Sequence, residues 1–302
     1  MKFALFLGCT IPARLNQYES SSRAVLEKLG VELVDVKAFN CCGYPLRNTD
    51  LKAAVLAAAR NLALAEREHL DLLVLCKCGF GMLKYAAHVL KENPSLEREI
   101  NDILNKEGLN FEGPIGITHL LSVLYHDVGV EALKEKITRP YKELKIATHY
   151  GCHALRPSEI VQFDDPVDPT LFDTLVEVTG AESIDWHARL DCCGAPLTGV
   201  NDELSMDLTE KKLVNARESG ADFLCVGCPY CHIQFDTVQK IINSERGGNH
   251  LLPPILYPQL LGLSMGIDRE ILGLGMNQID ITSVENFLLA APDSDARLRS
   301  HS

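Results

Sequence analysis

Short apolar runs alternate along the chain with longer segments whose apolar residues recur at helical spacing. Four runs have the length and aliphatic content of buried strands, and they cover residues 3–7, 72–75, 145–150 and 223–226. Five segments are typical of helices, at 20–29, 51–68, 82–92, 204–219 and 231–243. Because strands and helices alternate, the pattern predicts an α/β fold with parallel strands.

The pattern occurs twice. An apolar run ending in Gly-Cys lies at 3–9 and again at 146–152, and Cys-Cys-Gly-x-Pro-Leu lies at 41–46 and 192–197. Two further elements recur in the same order, a strand ending in cysteine (71–76 and 222–228) and a Pro-Ile element (114–121 and 254–261). Repetition at this spacing predicts two similar, Rossmann-like halves related by internal duplication, residues 1–143 and 144–302.

Composition narrows the classes of function. The 302 residues are 46% hydrophobic and carry a formal net charge of −12, which argues against a nucleic-acid-binding surface. No apolar run has the length of a membrane-spanning helix, and residues 3–7 are too few for the core of a signal peptide. We therefore expect a cytoplasmic protein without membrane insertion, and we expect its polar tail, 291–302, to fray.

Eleven cysteines are the richest chemical feature of the chain. Ten of them occupy matched positions, five in each half: Cys9, Cys41, Cys42, Cys76 and Cys78, then Cys152, Cys192, Cys193, Cys228 and Cys231. Cys225 lies inside a predicted strand without a counterpart, and we expect it to be a small buried hydrophobe. Since ligands collect beyond the carboxyl ends of parallel strands, each set is expected to converge at one sheet edge.

Three explanations compete for these cysteines. Neighbouring residues have Cα atoms about 3.8 Å apart, whereas disulfides need roughly 4.4–6.8 Å, so the adjacent pairs are poor bridges. A structural zinc takes about four ligands, usually in two Cys-x₂₋₄-Cys pairs, and five thiolates exceed that need. Soft thiolates around several neighbouring irons suit both the number and the adjacency. The spacing therefore favours an iron–sulfur cluster in each half.

The cysteine pattern resembles the cysteine-rich CCG domain family, which includes the B subunit of heterodisulfide reductase from methanogens. That pattern is a cysteine, Cys-Cys-Gly after thirty-odd residues, and Cys-x-x-Cys after a similar gap. The second half matches it closely, whereas the first half has Cys76-Lys77-Cys78-Gly79 in place of Cys-x-x-Cys. This departure leaves the ligation of the first site open.

The resemblance implies specific chemistry. It implies two non-cubane [4Fe–4S] clusters, each held by five cysteines, with the disulfide of coenzyme M and coenzyme B bound between them. Each cluster would supply one of the two electrons that reduce the disulfide to two thiols. The same domains also occur in thiol:fumarate reductase, sulfur-oxidation and lactate-oxidation relatives. A non-catalytic electron-transfer subunit and a zinc-binding module are the remaining alternatives.

The chain lacks a ferredoxin-type cysteine run and a Gly-x-Gly-x-x-Gly nucleotide motif. We therefore expect it to receive electrons from a ferredoxin-like iron–sulfur subunit and, through that partner, from a flavoprotein subunit.

Several polar residues lie beside the cysteines. His153 and His232 adjoin Cys152 and Cys231, and each could protonate a released thiolate or donate a hydrogen bond to a cluster sulfur. Arg14 and Arg156 follow the two Gly-Cys elements and are candidates for binding an anionic substrate group. Lys77, within the first close pair, could tune a cluster, although a solvated lysine is the default expectation.

Overall fold

The structure, a computed structural model, describes residues 1–113, 115–247 and 252–290, so the predicted fraying tail lies outside the described residues. The strands are β1 (Lys2–Phe6), β2 (Glu32–Val34), β3 (Leu72–Val74), β4 (Ile117–His119), β5 (Lys145–His149), β6 (Glu182–Ile184), β7 (Phe223–Val226) and β8 (Pro254–Leu256).

Helices connect these strands. The α-helices are α1 (Thr10–Arg14), α2 (Asn16–Lys28), α3 (Leu51–Arg67), α4 (Lys77–Glu92), α5 (Pro94–Leu104), α6 (Leu120–Ser122), α7 (Val130–Lys136), α8 (Cys152–Leu155), α9 (Ser158–Val161), α10 (Leu171–Val178), α11 (Asp202–Glu218), α12 (Pro229–Ile233), α13 (Gln239–Arg246) and α14 (Tyr257–Ser264). Five 3₁₀ turns are described, at Tyr44–Leu46, Asn105–Glu107, Ala195–Leu197, Leu274–Met276 and Thr282–Phe287, and two π-helical turns, at Val123–Gly129 and Gln234–Val238.

Two four-stranded parallel sheets organise the molecule. Their strand orders, β2-β1-β3-β4 and β6-β5-β7-β8, are the same. The predicted α/β fold with two similar parallel halves is therefore confirmed. In each sheet the strand order reverses between the first and third strands, and ligands bind beyond the carboxyl ends at such a switch point.

The predicted strands agree with the observed ones within two residues, whereas β2, β4, β6 and β8 were missed. Each of these edge strands has only three residues, too few to form the apolar run that predicts a buried strand, and β2 and β6 are also partly exposed. Three predicted helices also differ from expectation, and α5, α10 and α14 were not predicted. Helix α2 begins at Asn16, four residues before the predicted start. Helix α4 begins at Lys77, so Cys78 lies in its first turn, and the predicted helix 231–243 is broken by the π-helical turn Gln234–Val238.

The two halves pack against each other through helices. Helix α2 packs on α14, and α4 packs on α8 and α9. The Nζ atom of Lys28 donates a hydrogen bond to the carbonyl oxygen of Met265, 2.5 Å away, and joins the halves at one end. Cys225 is fully buried in β7, as the sequence predicted. Among the described residues, no helix combines the length and the apolar content that crossing a bilayer requires.

Candidate metal centre

Each Cys-Cys pair lies on a loop that only glycine can close. Gly43 and Gly194, which follow the pairs, have φ of 85° and 92°, in the left-handed region that other residues avoid. A Cβ atom at Gly43 would lie 2.4 Å from the carbonyl oxygen of Ala54, and one at Gly194 would lie 2.5 Å from that of Ser205. The two loops are therefore pressed against the first turns of α3 and α11 in the same way.

The remaining cysteines follow the strands that flank each switch point. Cys9 follows β1, and Cys76 lies between the end of β3 and the start of α4. In the second half Cys152 follows β5, and Cys228 follows β7. Parallel strands bring these residues to the same sheet edge as the Cys-Cys loops, as the sequence predicted.

The sulfur atoms form two compact buried groups. Those of Cys76, Cys78 and Cys228 lie within 4.8 Å of one another, and the same limit holds for the sulfurs of Cys193 and Cys231 with a ring nitrogen of His149. Hydrogen bonds between Cys228 and Cys231 link the two groups. The predicted sets therefore meet at the interface between the halves, where Cys228 contacts the first-half pair.

The outer cysteines extend this arrangement. Cys152 contacts Cys192, and Cys192 contacts Cys193. On the other side Cys41 contacts both Cys9 and Cys42. One small cavity is lined by four first-half thiols (Cys9, Cys42, Cys76 and Cys78), and the cavity beside it by four second-half thiols (Cys152, Cys193, Cys228 and Cys231) together with Cys78.

Because the thiols lie close together, some donate hydrogen bonds and others accept them, and these bonds shift their pKa values. A hydrogen bond with Cys228, together with burial, raises the pKa of the Cys76 and Cys78 thiols well above the usual range. Hydrogen bonds from Cys152 and Cys193 lower the pKa of Cys192 to about 2. Bound metal replaces such protons, because the thiolate is the ligand form of cysteine.

The donor set fits an iron–sulfur centre. All eleven cysteines are free thiols, so the disulfide explanation is wrong. Apart from Cys225, they lie at the two sheet edges, five from each half, which is more than the four ligands of one structural zinc. Soft sulfur donors that crowd one another in a largely buried space are the environment of iron–sulfur clusters. The residues that would hold such clusters are the ten matched cysteines predicted from the sequence.

Three residues beside the thiols were missed or misjudged from sequence. The Nε2 atom of His149 lies 3.2 Å from the sulfur of Cys231. The repeat aligns His149 with Phe6, and this change from an apolar to a polar residue was the signal that could have identified it. Lys77 is 1% exposed, so the expectation of a solvated lysine is wrong. His232 is buried, and neither of its ring nitrogens has a hydrogen-bond partner among the described residues, so its expected bond to a sulfur is not formed.

His153 lies between the two halves. Its Nδ1 atom is 3.5 Å from the sulfur of Cys78 and 3.5 Å from that of Cys152. The Nη1 atom of Arg47 lies 2.9 Å from its Nε2 atom, and Tyr44 packs edge-on against its ring at 4.8 Å. Because arginine can only donate, Nε2 accepts, and Nδ1 carries the proton that faces the sulfurs.

An open cavity of about 340 Å³ adjoins His153 at this interface. Arg47 and Arg156 supply its cationic side chains, and Tyr44, Met82 and Tyr85 are among its apolar and aromatic walls. Arg14 is exposed on α1 and does not line this cavity. Of the two predicted anion-binding arginines, the structure thus brings only Arg156 to a cavity, and it adds Arg47.

A doubly wound parallel sheet in each half, with cysteines at its switch point, defines a duplicated, cysteine-rich α/β protein that fits iron–sulfur binding. The CCG cysteine-rich domain matches residues 3–84 and 146–236. The chain belongs to this family, and the resemblance seen in the cysteine spacing is confirmed.

Relatives within the family differ in their stated activity. The chain is 37% identical to the B subunit of the ferredoxin:CoB-CoM heterodisulfide reductase of Methanosarcina mazei, over 92% of this chain and 94% of that protein. It is 34% identical to the 8-methylmenaquinol:fumarate reductase membrane anchor subunit of Wolinella succinogenes, over 94% of this chain and 99% of the relative. Lactate utilization protein A of Oceanobacillus iheyensis is 23% identical over 76% of this chain and 86% of that protein.

A solved structure shares the fold. A hypothetical protein from Helicobacter pylori superposes with a TM-score of 0.72 at 20% sequence identity over 93% of this chain. The chain spans about half of that protein, 52% of its length.

Proposed function

We propose that this chain is the catalytic subunit of an iron–sulfur oxidoreductase that reduces the disulfide between coenzyme M and coenzyme B to two thiols. The observation that carries the proposal is the meeting of two five-cysteine sets at one interface, with an open cavity beside them. The 37% identity to the B subunit of a heterodisulfide reductase, along almost the full length of both chains, supports the choice of substrate.

The cofactors in this proposal are two non-cubane [4Fe–4S] clusters. The first would be held by Cys9, Cys41, Cys42, Cys76 and Cys78, and the second by Cys152, Cys192, Cys193, Cys228 and Cys231. When bound, such clusters supply single electrons and soft sites for sulfur. The loops that carry the cysteines contribute rigidity, because the left-handed glycines and the following 3₁₀ turns fix the direction of each thiol.

His153 is proposed to donate a hydrogen bond to the sulfur atoms of the substrate. Reduction of a disulfide by two electrons releases two thiolates, which a hydrogen-bond donor stabilises until each takes up a proton from water. The Nδ1–H group of His153 faces the gap between Cys78 and Cys152, and the Arg47 bond to Nε2 fixes this tautomer. Burial, together with the nearby Arg47 charge, lowers the pKa of His153, so the neutral ring donates a hydrogen bond.

Arg47 and Arg156 are proposed to bind the anionic end of the substrate. Both line the cavity beside His153, and the guanidinium of Arg47 also stacks over Tyr44, 4.4 Å from the ring centroid. Guanidinium groups bind sulfonate and phosphate through paired hydrogen bonds, which lysine cannot reproduce. We expect Arg156→Lys to raise KM for the disulfide with little change in kcat. An unchanged KM would remove Arg156 from the binding site.

Electron supply is proposed to come from a ferredoxin-like iron–sulfur subunit and, through it, a flavoprotein subunit. The relatives from Methanosarcina mazei and Wolinella succinogenes are both named as subunits.

Iron content and turnover test the proposal together. The chain, purified without oxygen, is expected to contain iron and acid-labile sulfide and to reduce the coenzyme M–coenzyme B disulfide with a reduced viologen dye. Cys193→Ala should lose iron and at least 100-fold of the activity, whereas Cys225→Ala, which alters a buried cysteine outside the site, should keep both. A colourless, iron-free wild-type chain would refute the cofactor, and an iron-loaded chain that is inactive with this disulfide would refute the substrate.

The second candidate function is fumarate-linked electron transfer. The 34% identity to the anchor subunit of a menaquinol:fumarate reductase, over 99% of that protein, favours it. Reduction of the bound iron by a menaquinol analogue, without activity on the disulfide, would select this function.

A further inference from the structure

Equivalent positions in the two halves differ in charge beside the Cys-Cys loops. The offset that relates Cys41 to Cys192 also relates Asn61 on α3 to Lys212 on α11. The Nδ2 atom of Asn61 donates to the carbonyl oxygen of Cys41, 3.2 Å away, and holds the first loop. Lys212 does the same for the second loop, because its Nζ atom donates to the carbonyl oxygens of Ala188 and Asp191. The same structural role is filled by a neutral amide in one half and by a cation in the other.

Both of these side chains are buried. Asn61 is 0% exposed and Lys212 is 1% exposed. Burial lowers the pKa of Lys212 to about 8, which leaves it mostly protonated at neutral pH. The charges that most favour its protonated form are Asp191 and the second-half thiols, Cys193 first among them. The Lys212 charge therefore acts on the second site.

A second lysine reaches the same site from the opposite half. Lys77 belongs to the first-half close pair, yet its Nζ atom donates to the carbonyl oxygen of Tyr150. The Nζ atom lies 5.0 Å from the ring centroid of Phe172, also in the second half. Burial lowers the pKa of Lys77, whereas the second-half thiols, Cys228 and Cys231 first, favour its charged form. A Cβ atom at Gly151 would lie 3.3 Å from Cδ of Lys77, so the glycine before Cys152 leaves room for this crossing.

The side chain that crosses in the opposite direction, from the second half to the first, is uncharged. Tyr230 lies between Cys228 and Cys231 in the second-half close pair, and it lines the cavity of the first-half thiols. The described residues around that first cavity include no lysine, arginine or carboxylate. Lys77, by contrast, lines the cavity of the second-half thiols. Each half thus places one side chain beside the thiols of the other half. The second half contributes the phenol of Tyr230, and the first half contributes the ammonium of Lys77.

Opposing charges do not cancel the difference. Asp191, at the position of Asn40, is exposed, so water and salt screen its carboxylate. Asp173 is partly buried, but it accepts hydrogen bonds from Thr148, Tyr150 and Ser183 and lies 3.7 Å from Arg189. Asp236, buried beside His232, accepts hydrogen bonds from the backbone N–H groups of Gln278 and Ile279, and burial raises its pKa. In the part of the chain that the structure describes, Lys77 and Lys212 donate to backbone carbonyl oxygens and form no ion pair with Asp173 or Asp236.

We propose that Lys77 and Lys212 make the second-half cysteine site more electropositive than the first, so that its iron–sulfur cluster has the higher reduction potential. The inference rests on the proposed cofactors. Reduction adds a negative charge to a cluster, and a buried cation nearby stabilises the reduced form. Electrons entering the protein would therefore reduce the second-half cluster in preference to the first. The two lysines are positioning residues, because they act on the potential and hold no iron.

Redox titration followed by electron paramagnetic resonance tests this proposal on the iron-loaded chain. Cys42→Ala and Cys193→Ala first assign each signal to its half. The substitution Lys212→Asn installs the first-half residue, and Lys77→Met removes the other charge while keeping a long apolar chain. At the potential where the wild-type second centre is half reduced, each variant should lower its ratio of reduced to oxidised form about tenfold, 59 mV for a one-electron couple.

Matched variants separate charge from packing. Lys211→Asn removes an exposed charge from the neighbouring position on α11 and should leave both potentials unchanged. Lys212→Arg keeps the cation and should retain the wild-type potential even where Lys212→Asn loses its fold. Second-centre potentials that do not respond to either lysine, or equal shifts in both centres, would overturn this inference alone. An iron-free wild-type chain would overturn the proposed function instead.

Discussion

At the scale of single residues, the cysteine loops depend on glycines whose side chain is a hydrogen atom. Gly43 and Gly194 both adopt left-handed φ, and both face a backbone carbonyl oxygen less than 3 Å from where a Cβ atom would be. Carbonyl groups within a helix cannot move aside as a flexible side chain can. The repeat of Cys-Cys-Gly in the sequence is thus a requirement of packing as well as of chemistry.

Gly194→Ala is expected to cost much more stability than the left-handed conformation alone explains. Left-handed backbone costs a non-glycine residue about 1–2 kcal/mol, and the 2.5 Å approach to the Ser205 carbonyl adds to that. Gly220→Ala is the matched control, because Gly220 has φ of 91° and a Cβ atom placed there would have no neighbouring atom within 4 Å. Denaturant unfolding and iron content measure the result. Equal losses in the two variants would show that the carbonyl contact is unimportant.

At the scale of elements, His119 joins three of them at the carboxyl end of the first sheet. It ends β4, its Nδ1 atom accepts from the backbone N–H of Leu121 at the start of α6, and its Nε2 atom donates to the carbonyl oxygen of Leu75 after β3. These two hydrogen bonds need one donor and one acceptor nitrogen, and only the neutral ring provides both. Burial lowers the pKa of His119 to about 3.

This buried histidine makes stability depend on pH. In the unfolded chain His119 takes up a proton below about pH 6.5, whereas in the folded chain it stays neutral down to about pH 3. Its contribution is therefore complete above pH 6.5 and is lost as the pH falls, by about 1.4 kcal/mol per unit. His119→Gln should remove this dependence, so that wild type and variant converge between pH 7.5 and 5.5. Denaturation curves at both pH values measure it, and a constant difference would contradict the assignment.

At the scale of the whole molecule, duplication creates a site that neither half contains alone. Cys228 contacts Cys76 and Cys78, and His153 lies between Cys78 and Cys152. Lys77 and Tyr230 cross the interface in opposite directions. The packing of α4 on α8 and α9 places these residues face to face. Two similar folds joined in this way can hold two similar centres in unequal surroundings.

Much of this arrangement could be predicted from local pattern. The central strands are short apolar runs, and the matched cysteines follow them, so topology alone brings them to one edge. The edge strands β2, β4, β6 and β8 could not be found, since three residues are too few to show an alternating or continuous apolar pattern. His232 and Lys77 were misjudged for a related reason. Adjacency in sequence says nothing about which way a side chain points at a helix start.

The sequence by itself determined the alternation of strands and helices, the duplication and the ten thiols, because periodicity and spacing are properties of neighbouring positions. Only the tertiary structure decided that Cys228 meets the first-half pair, that Arg47 instead of Arg14 reaches the cavity, and that a first-half lysine serves the second half. Those contacts join residues far apart in the chain. Their distances depend on how two sheets and their helices pack, which no local pattern encodes.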